Sequence, residues 1–147
     1  MTKISESIEI KSSPDKVFAL MLDAKKVSEF TKGDENVDIT SKGPVEVGTT
    51  VHMTSKSAGL KTELDMEVTE FEKNKKMIMH TVGASKVDLR SWWMLEPTAK
   101  GTMLTHGGDY KLPYSILGKI IDNLWVRRSM EKSIEKILEG MKKTLEL

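Results

Sequence analysis

The stretch "THGGDYKLPYSILGKIIDNL", residues 105–124, decides how this chain folds. It opens as a strand, turns at Leu112-Pro113, and starts a helical pattern that meets no further proline before the C-terminus. From Pro113 or Tyr114 to about Leu145, apolar residues recur at steps of three or four: Leu117, Ile120, Ile121, Leu124, Ile134, Ile137, Leu138, Met141 and Leu145. At 1.5 Å rise per residue such a helix spans roughly 45 Å, enough to cross a small sheet. A strand feeding directly into one long final helix suggests a helix held by a curved sheet, with apolar space between them.

Working back from this junction, strands follow one another closely. Thr102 to Lys111 is preceded by the turn "PTAKG", a strand from Val87 to Glu96, the turn "GASK", and a strand from Met77 to Val82. "EKNKK" turns the chain again, after a strand in which Thr62, Leu64, Met66 and Val68 alternate with Glu63, Asp65, Glu67 and Thr69. Ala58-Gly59 and Gly43-Pro44 bound a strand from about Thr49 to Ser55, and Val37 and Ile39 mark another after the polar connection "TKGDEN". At the start, Ile4, Ile8 and Ile10 share one strand face. "SSPDKVFALMLD" then reads as a short helix, with Ser13 at the N-cap, Pro14 at the first position, and Val17, Phe18, Met21 and Leu22 buried. Asp23 is placed to cap a second short helix that carries Val27 and Phe30. The expected architecture is α+β: about seven antiparallel strands, two short helices after the first, and a long C-terminal helix.

Bulk properties narrow the function. The 147 residues suit one domain, spanning 1–147. With 31% charged residues and a net charge of only +1, nothing electrostatic favours nucleic acid or an anionic membrane. The chain has no cysteine, and no apolar run reaches the roughly 20 residues of a spanning helix. A cytoplasmic protein without stable membrane insertion is expected. No phosphate-binding glycine loop, Gly-x-Ser-x-Gly elbow or His-Glu-x-x-His pattern occurs. No cofactor and no metal are expected, because His52, His80 and His106 lie in separate strands with no obvious third ligand for His80 and His106.

The ordered set of motifs resembles the helix-grip fold of the START-like (SRPBCC) superfamily, which includes the major birch pollen allergen and the polyketide cyclase/dehydrase proteins. "SSPDKVFALMLD" resembles the family's opening, "VEVGTTV" its Val-Gly-Thr strand start, and "LEPTAKGTMLT" its Leu-Glu-Pro, Gly-Thr hairpin. "YKLPYSILGKIID" resembles the strand-to-helix junction and "LEGMKKTLE" the helix end; Phe30 stands where the family usually has tryptophan. The resemblance implies a cavity between sheet and long helix for a hydrophobic or amphipathic small molecule: a lipid, isoprenoid, polyketide or aromatic. It transfers no catalytic residue.

Turn lengths give an expected register. A "GASK" loop pairs Val82 with Val87, His80 with Leu89 and Ile78 with Ser91. A "TAKG" loop pairs Leu95 with Leu104, Trp93 with His106, Ser91 with Gly108 and Leu89 with Tyr110. Opposite residues share a face. The expected cavity wall is therefore Ile78, His80, Leu89, Ser91, Trp93, Leu104, His106, Gly108 and Tyr110, with Leu124, Arg128 and Glu131 from the helix, whose stripe weakens at "VRRSMEKS". Small Ser91 beside Gly108 would leave volume, and His80, Trp93, His106 and Tyr110 would bring polar tips to it. Plain packing is the competing reading for these histidines and tyrosine, as pairing with Glu131 is for Arg127. The ten methionines fit ordinary core packing or an adaptable pocket. Gly107-Gly108 suits a bulge or bend. Trp92, pointing outward across from Gly107, either covers that glycine or marks a partner or homodimer patch beside Met94. Three functions follow: a binding protein for an apolar small molecule; a cyclase- or hydratase-type enzyme using a pocket histidine; and a protein-interaction module acting through the outer sheet face.

Overall fold

The computed structural model describes residues 2–57, 60–83, 87–111 and 123–147. Alternation builds β1 (Thr2–Ile10), β2 (Glu35–Ile39), β3 (Thr50–Ser57), β4 (Leu60–Glu72), β5 (Lys76–Thr81), β6 (Asp88–Pro97) and β7 (Thr102–Lys111). They form one antiparallel sheet in the order β1-β7-β6-β5-β4-β3-β2, curled into a half-barrel. Between β1 and β2 lie α1 (Pro14–Met21) and α2 (Ala24–Phe30); α3 (Asn123–Leu145) packs on the sheet. This is the expected helix-grip architecture. The turn at Leu112-Pro113, the helix start at Pro113 or Tyr114, and Leu117, Ile120 and Ile121 fall outside the described residues.

Local chemistry explains the junctions. Ser13 takes the N-cap position of α1 in extended backbone, but its side chain makes no capping bond. Asp23 does cap α2, accepting from the Lys26 N–H at 3.1 Å. Buried Thr31 accepts from the Glu35 N–H at 3.0 Å and donates to the Ser28 carbonyl at 3.1 Å, fixing the start of β2 against the end of α2. The Val37 N–H donates to Ser28 Oγ at 3.3 Å, so α2 covers the edge strand.

The core lies under the concave face. Ile4, Ile10, Leu64, Met66, Val68, Trp93, Leu95 and Leu104 meet Val17, Phe18 and Met21 of α1 and Ile134, Ile137, Leu138 and Met141 of α3. At its C-terminal end α3 is fastened to β1: Lys142 Nζ donates to the Glu9 carbonyl at 2.8 Å, and the Lys11 N–H donates to Glu146 at 2.9 Å. Gly140 leaves room on α3 for the Phe30 ring, into which a Cβ would press.

The β6–β7 register is the expected one: Leu89↔Tyr110, Ser91↔Gly108, Trp93↔His106 and Leu95↔Leu104. The β5–β6 register is not. Met79 faces Ser91, Ile78 faces Trp92 and His80 faces Arg90, a slip of one residue. The Thr81 hydroxyl accepts from the Leu89 N–H at 3.1 Å, and Gly83 takes a left-handed φ of 69° in the connection. A one-residue slip exchanges the faces of a strand, so Met77 and Met79 point inward while Ile78 and His80 point outward. Gly107 and Gly108 sit in unbroken pairing with both neighbouring strands, and therefore mark no bulge. They serve close approach: a Cβ on Gly107 would strike the Ile4 carbonyl, and one on Gly108 would lie 2.8 Å from the Arg90 carbonyl oxygen. The sheet does bulge in β4, where pairing with β5 shifts between Val68 and Glu70.

Candidate functional site

Between the concave face and α3 lies a cavity of about 160 Å³. Leu89, Ser91, Trp93, His106, Gly108 and Tyr110 line it, together with Gly107 and Ile4. Small Ser91 opposite Gly108 leaves the space that their larger neighbours do not fill. From α3 come Val126, Met130, Ile134 and Ile137. The far wall is built by Glu35, Val37, Met53, Ser55, Thr62, Leu64, Met79 and Val87. A second space of about 70 Å³, sharing Val27, Val37, Met79 and Trp93, continues beneath α1 and α2.

Several expected wall residues lie elsewhere. Ile78 is buried on the outer face, and His80 is exposed there, its Nε2 2.7 Å from Asp88. His80 and His106 are thus on opposite faces and do not approach. Leu104 shares the inner face but is wholly packed in the core. Leu124 is 56% exposed and Arg128 also faces water, because α3 turns Val126 and Met130 to the cavity instead. Glu131 pairs with Arg127 at 3.0 Å. Trp92 is only 5% exposed: the Lys3 ammonium and the Arg90 guanidinium sit over its ring at 5.6 and 5.5 Å. The outward tryptophan patch is therefore covered by the chain itself, which removes the reason for an interaction surface there.

Three polar groups of the wall have unusual electrostatics. His106 stacks on Trp93, with ring centroids 3.6 Å apart and planes at 12°. Its Nδ1 lies 3.0 Å from the Trp92 carbonyl, which can only accept, so Nδ1 carries the hydrogen and Nε2 keeps a lone pair. Burial pushes the imidazole pKa down to about 4, in the direction desolvation requires, so it is neutral at pH 7. The Tyr110 hydroxyl is buried without a hydrogen-bond partner of good geometry among the described residues. Burial raises its pKa against the opposing influence of Thr2 and Arg127. Glu35 is pushed up to about 7, mainly by burial and secondarily by neighbouring Asp34. Glu35 is partly buried and lines the cavity. Glu35 was hidden in sequence because it sits inside the polar run "TKGDEN"; the alternation Glu35-Val37-Ile39 was the available signal.

Among the described residues no three His, Cys, Asp or Glu side chains group to hold a metal, and no helix is long and apolar enough to cross a membrane. The wall can do two things: enclose an apolar body and offer hydrogen bonds at a few fixed points.

Residues 1–146 match the family model described as polyketide cyclase/dehydrase and lipid transport. The chain belongs to this family. Family membership accords with the cavity, since proteins so described act on or carry apolar small molecules. The fold recurs in solved structures. A protein of Thermus thermophilus is 18% identical with a TM-score of 0.81, over 98% of this chain and 97% of that one. The Zhui aromatase/cyclase of a Streptomyces species is 13% identical with a TM-score of 0.76, over 99% and 93%. The di-domain ARO/CYC StfQ of the steffimycin biosynthetic pathway is 13% identical with a TM-score of 0.77; the match covers 98% of this chain and 50% of that one. At such identities the likeness is one of fold. No curated protein matches the chain by sequence.

Proposed function

We propose that this chain, as a single domain, binds a small amphipathic molecule with an apolar body of about one ring in the cavity under α3. The observation that carries the reading is the cavity itself: about 160 Å³, apolar over most of its wall, with a few convergent polar groups. A dry protein cavity of about 150 Å³ accommodates benzene. The space therefore suits one ring, or the end of a longer polyketide, isoprenoid or lipid chain continuing into the adjoining 70 Å³. The test is native mass spectrometry of the purified protein, followed by displacement of a fluorescent apolar probe by ring compounds, isoprenoids and lipids. Competition by ring-sized compounds is expected; a protein that takes up no probe and no ligand would refute the reading.

A second reading, acid–base chemistry of the cyclase or hydratase kind, draws support from His106 and Tyr110 lining the same cavity, with Nδ1 of His106 engaged by the Trp92 carbonyl and no partner for Nε2 among the described residues. With a pKa near 4 the imidazole is unprotonated at neutral pH, so it would enter such chemistry as a weak base and not as an acid. A His106→Ala variant with undiminished turnover of a polyketide-like substrate would exclude it from that role.

A further inference from the structure

The polar groups of the cavity are unevenly charged. On the inner face Glu35 lies opposite Ser55, and Ser55 opposite Thr62, so one carboxyl and two hydroxyls form a stripe across β2, β3 and β4. Two residues further along each strand the wall turns apolar, with Val37, Met53 and Leu64. The Thr31 hydroxyl holds the Glu35 backbone, accepting from its N–H at 3.0 Å while it donates to the Ser28 carbonyl at 3.1 Å. That anchor fixes the residue whose side chain enters the cavity. Among the described residues the Glu35 carboxyl has no ion pair, and no lysine or arginine lines the cavity. A carboxyl in apolar surroundings without a partner is unfavourable, and a ligand bringing a donor or a positive charge relieves it. A ligand bringing a second carboxylate finds no cation to meet it.

We propose that the Glu35–Ser55–Thr62 stripe is a head-group subsite, and that it selects amphipathic ligands carrying an amine over those carrying a carboxylate. This rests on the cavity-binding reading above. Other charged groups leave the selection to Glu35. Asp34 adds negative charge beside it. Across the cavity His106 is neutral above about pH 4. Arg127 on α3 is occupied by Glu131.

The test uses three ring-sized probes on the intact protein at pH 8, by calorimetry: 2-phenylethanol, 2-phenylethylamine and 3-phenylpropanoate. The neutral alcohol reports the cavity, and the charged pair reports the stripe. The amine is expected to bind at least about tenfold tighter than the acid, a difference of roughly 1.4 kcal/mol. In Glu35→Gln the preference should shrink to less than about twofold. Because Glu35 must be ionised to hold an ammonium, amine affinity should fall about tenfold from pH 8 to pH 6. This pH series on the wild type carries the same test if the variant does not fold. Binding of 2-phenylethanol without any preference for amine over acid would overturn the subsite and leave the cavity reading intact. Failure of all three probes to bind at millimolar concentration would overturn both.

Discussion

Replacing Glu35 by glutamine should alter how stability responds to pH. The carboxyl titrates near 7 in the folded protein, against an ordinary value of 4.5. Between those values the folded state holds more protons than the unfolded state, so Glu35 makes stability fall as pH rises from about 4.5 to 7. At 1.36 kcal/mol per pH unit the whole effect is roughly 3 kcal/mol, and roughly 2–3 kcal/mol of it falls between pH 5 and 8. His106 works the other way. Its folded value near 4 lies below the ordinary 6.5, so stability rises with pH across that window and is lost as pH falls through it, again by roughly 3 kcal/mol. In the wild type the two slopes oppose each other from about pH 4.5 to 6.5. Glu35→Gln removes one and exposes the other. Urea denaturation of both proteins at pH 5, 6.5 and 8 measures this directly. The stability of the variant minus that of the wild type should grow by roughly 2–3 kcal/mol from pH 5 to pH 8. A constant offset, within about 0.5 kcal/mol over the whole range, would show Glu35 to be an ordinary solvated carboxylate and refute the reasoning.

Other substitutions probe the cavity and its supports. Tyr110→Phe removes a buried hydroxyl without a well-formed bond; it should stabilise the ligand-free protein by about 1 kcal/mol, raising Tm by roughly 2–4 °C in thermal denaturation. Gly140→Ala sets a helix-propensity gain of about 1 kcal/mol against overpacking of roughly 1–3 kcal/mol, because the new Cβ meets the Phe30 ring. Packing should win, giving a lower Tm, and Gly140→Ala/Phe30→Leu should recover part of the loss. Ser91→Trp places an indole in the space opposite Gly108; fluorescence titration should show probe affinity lowered at least about tenfold, with the circular dichroism of the fold kept.

How much the sequence revealed depended on whether each strand had two distinguishable faces. In β6 and β7 the alternation is clear and the turn "TAKG" is short, so the sequence alone brings Leu89, Ser91, Trp93, His106, Gly108 and Tyr110 to one wall. In β5, Met77, Ile78 and Met79 are all buried, one side by the core and the other by Trp92. An apolar run buried on both faces carries no phase, and an assumed loop length then chose the wrong one. The helix was readable as a whole but not in rotation. "VRRSMEKS" looks weakly apolar, yet Val126 and Met130, four residues apart, supply its contact with the cavity while Leu124 is left in water. Glu35 was hidden for a different reason: a charged residue at the end of a polar loop reads as solvated, and its burial is a property of tertiary structure alone.

The central claim is that an apolar molecule enters between the sheet and α3, and the methionines report on it. Met53, Met79 and Met130 line the cavity, whereas Met94 is 39% exposed on the outer face. The most direct measurement is a methyl NMR titration of methionine-labelled protein with 2-phenylethanol. The account predicts saturable shifts at Met53, Met79 and Met130 with Met94 unmoved. Shifts confined to Met94, or none at any methionine, would contradict it.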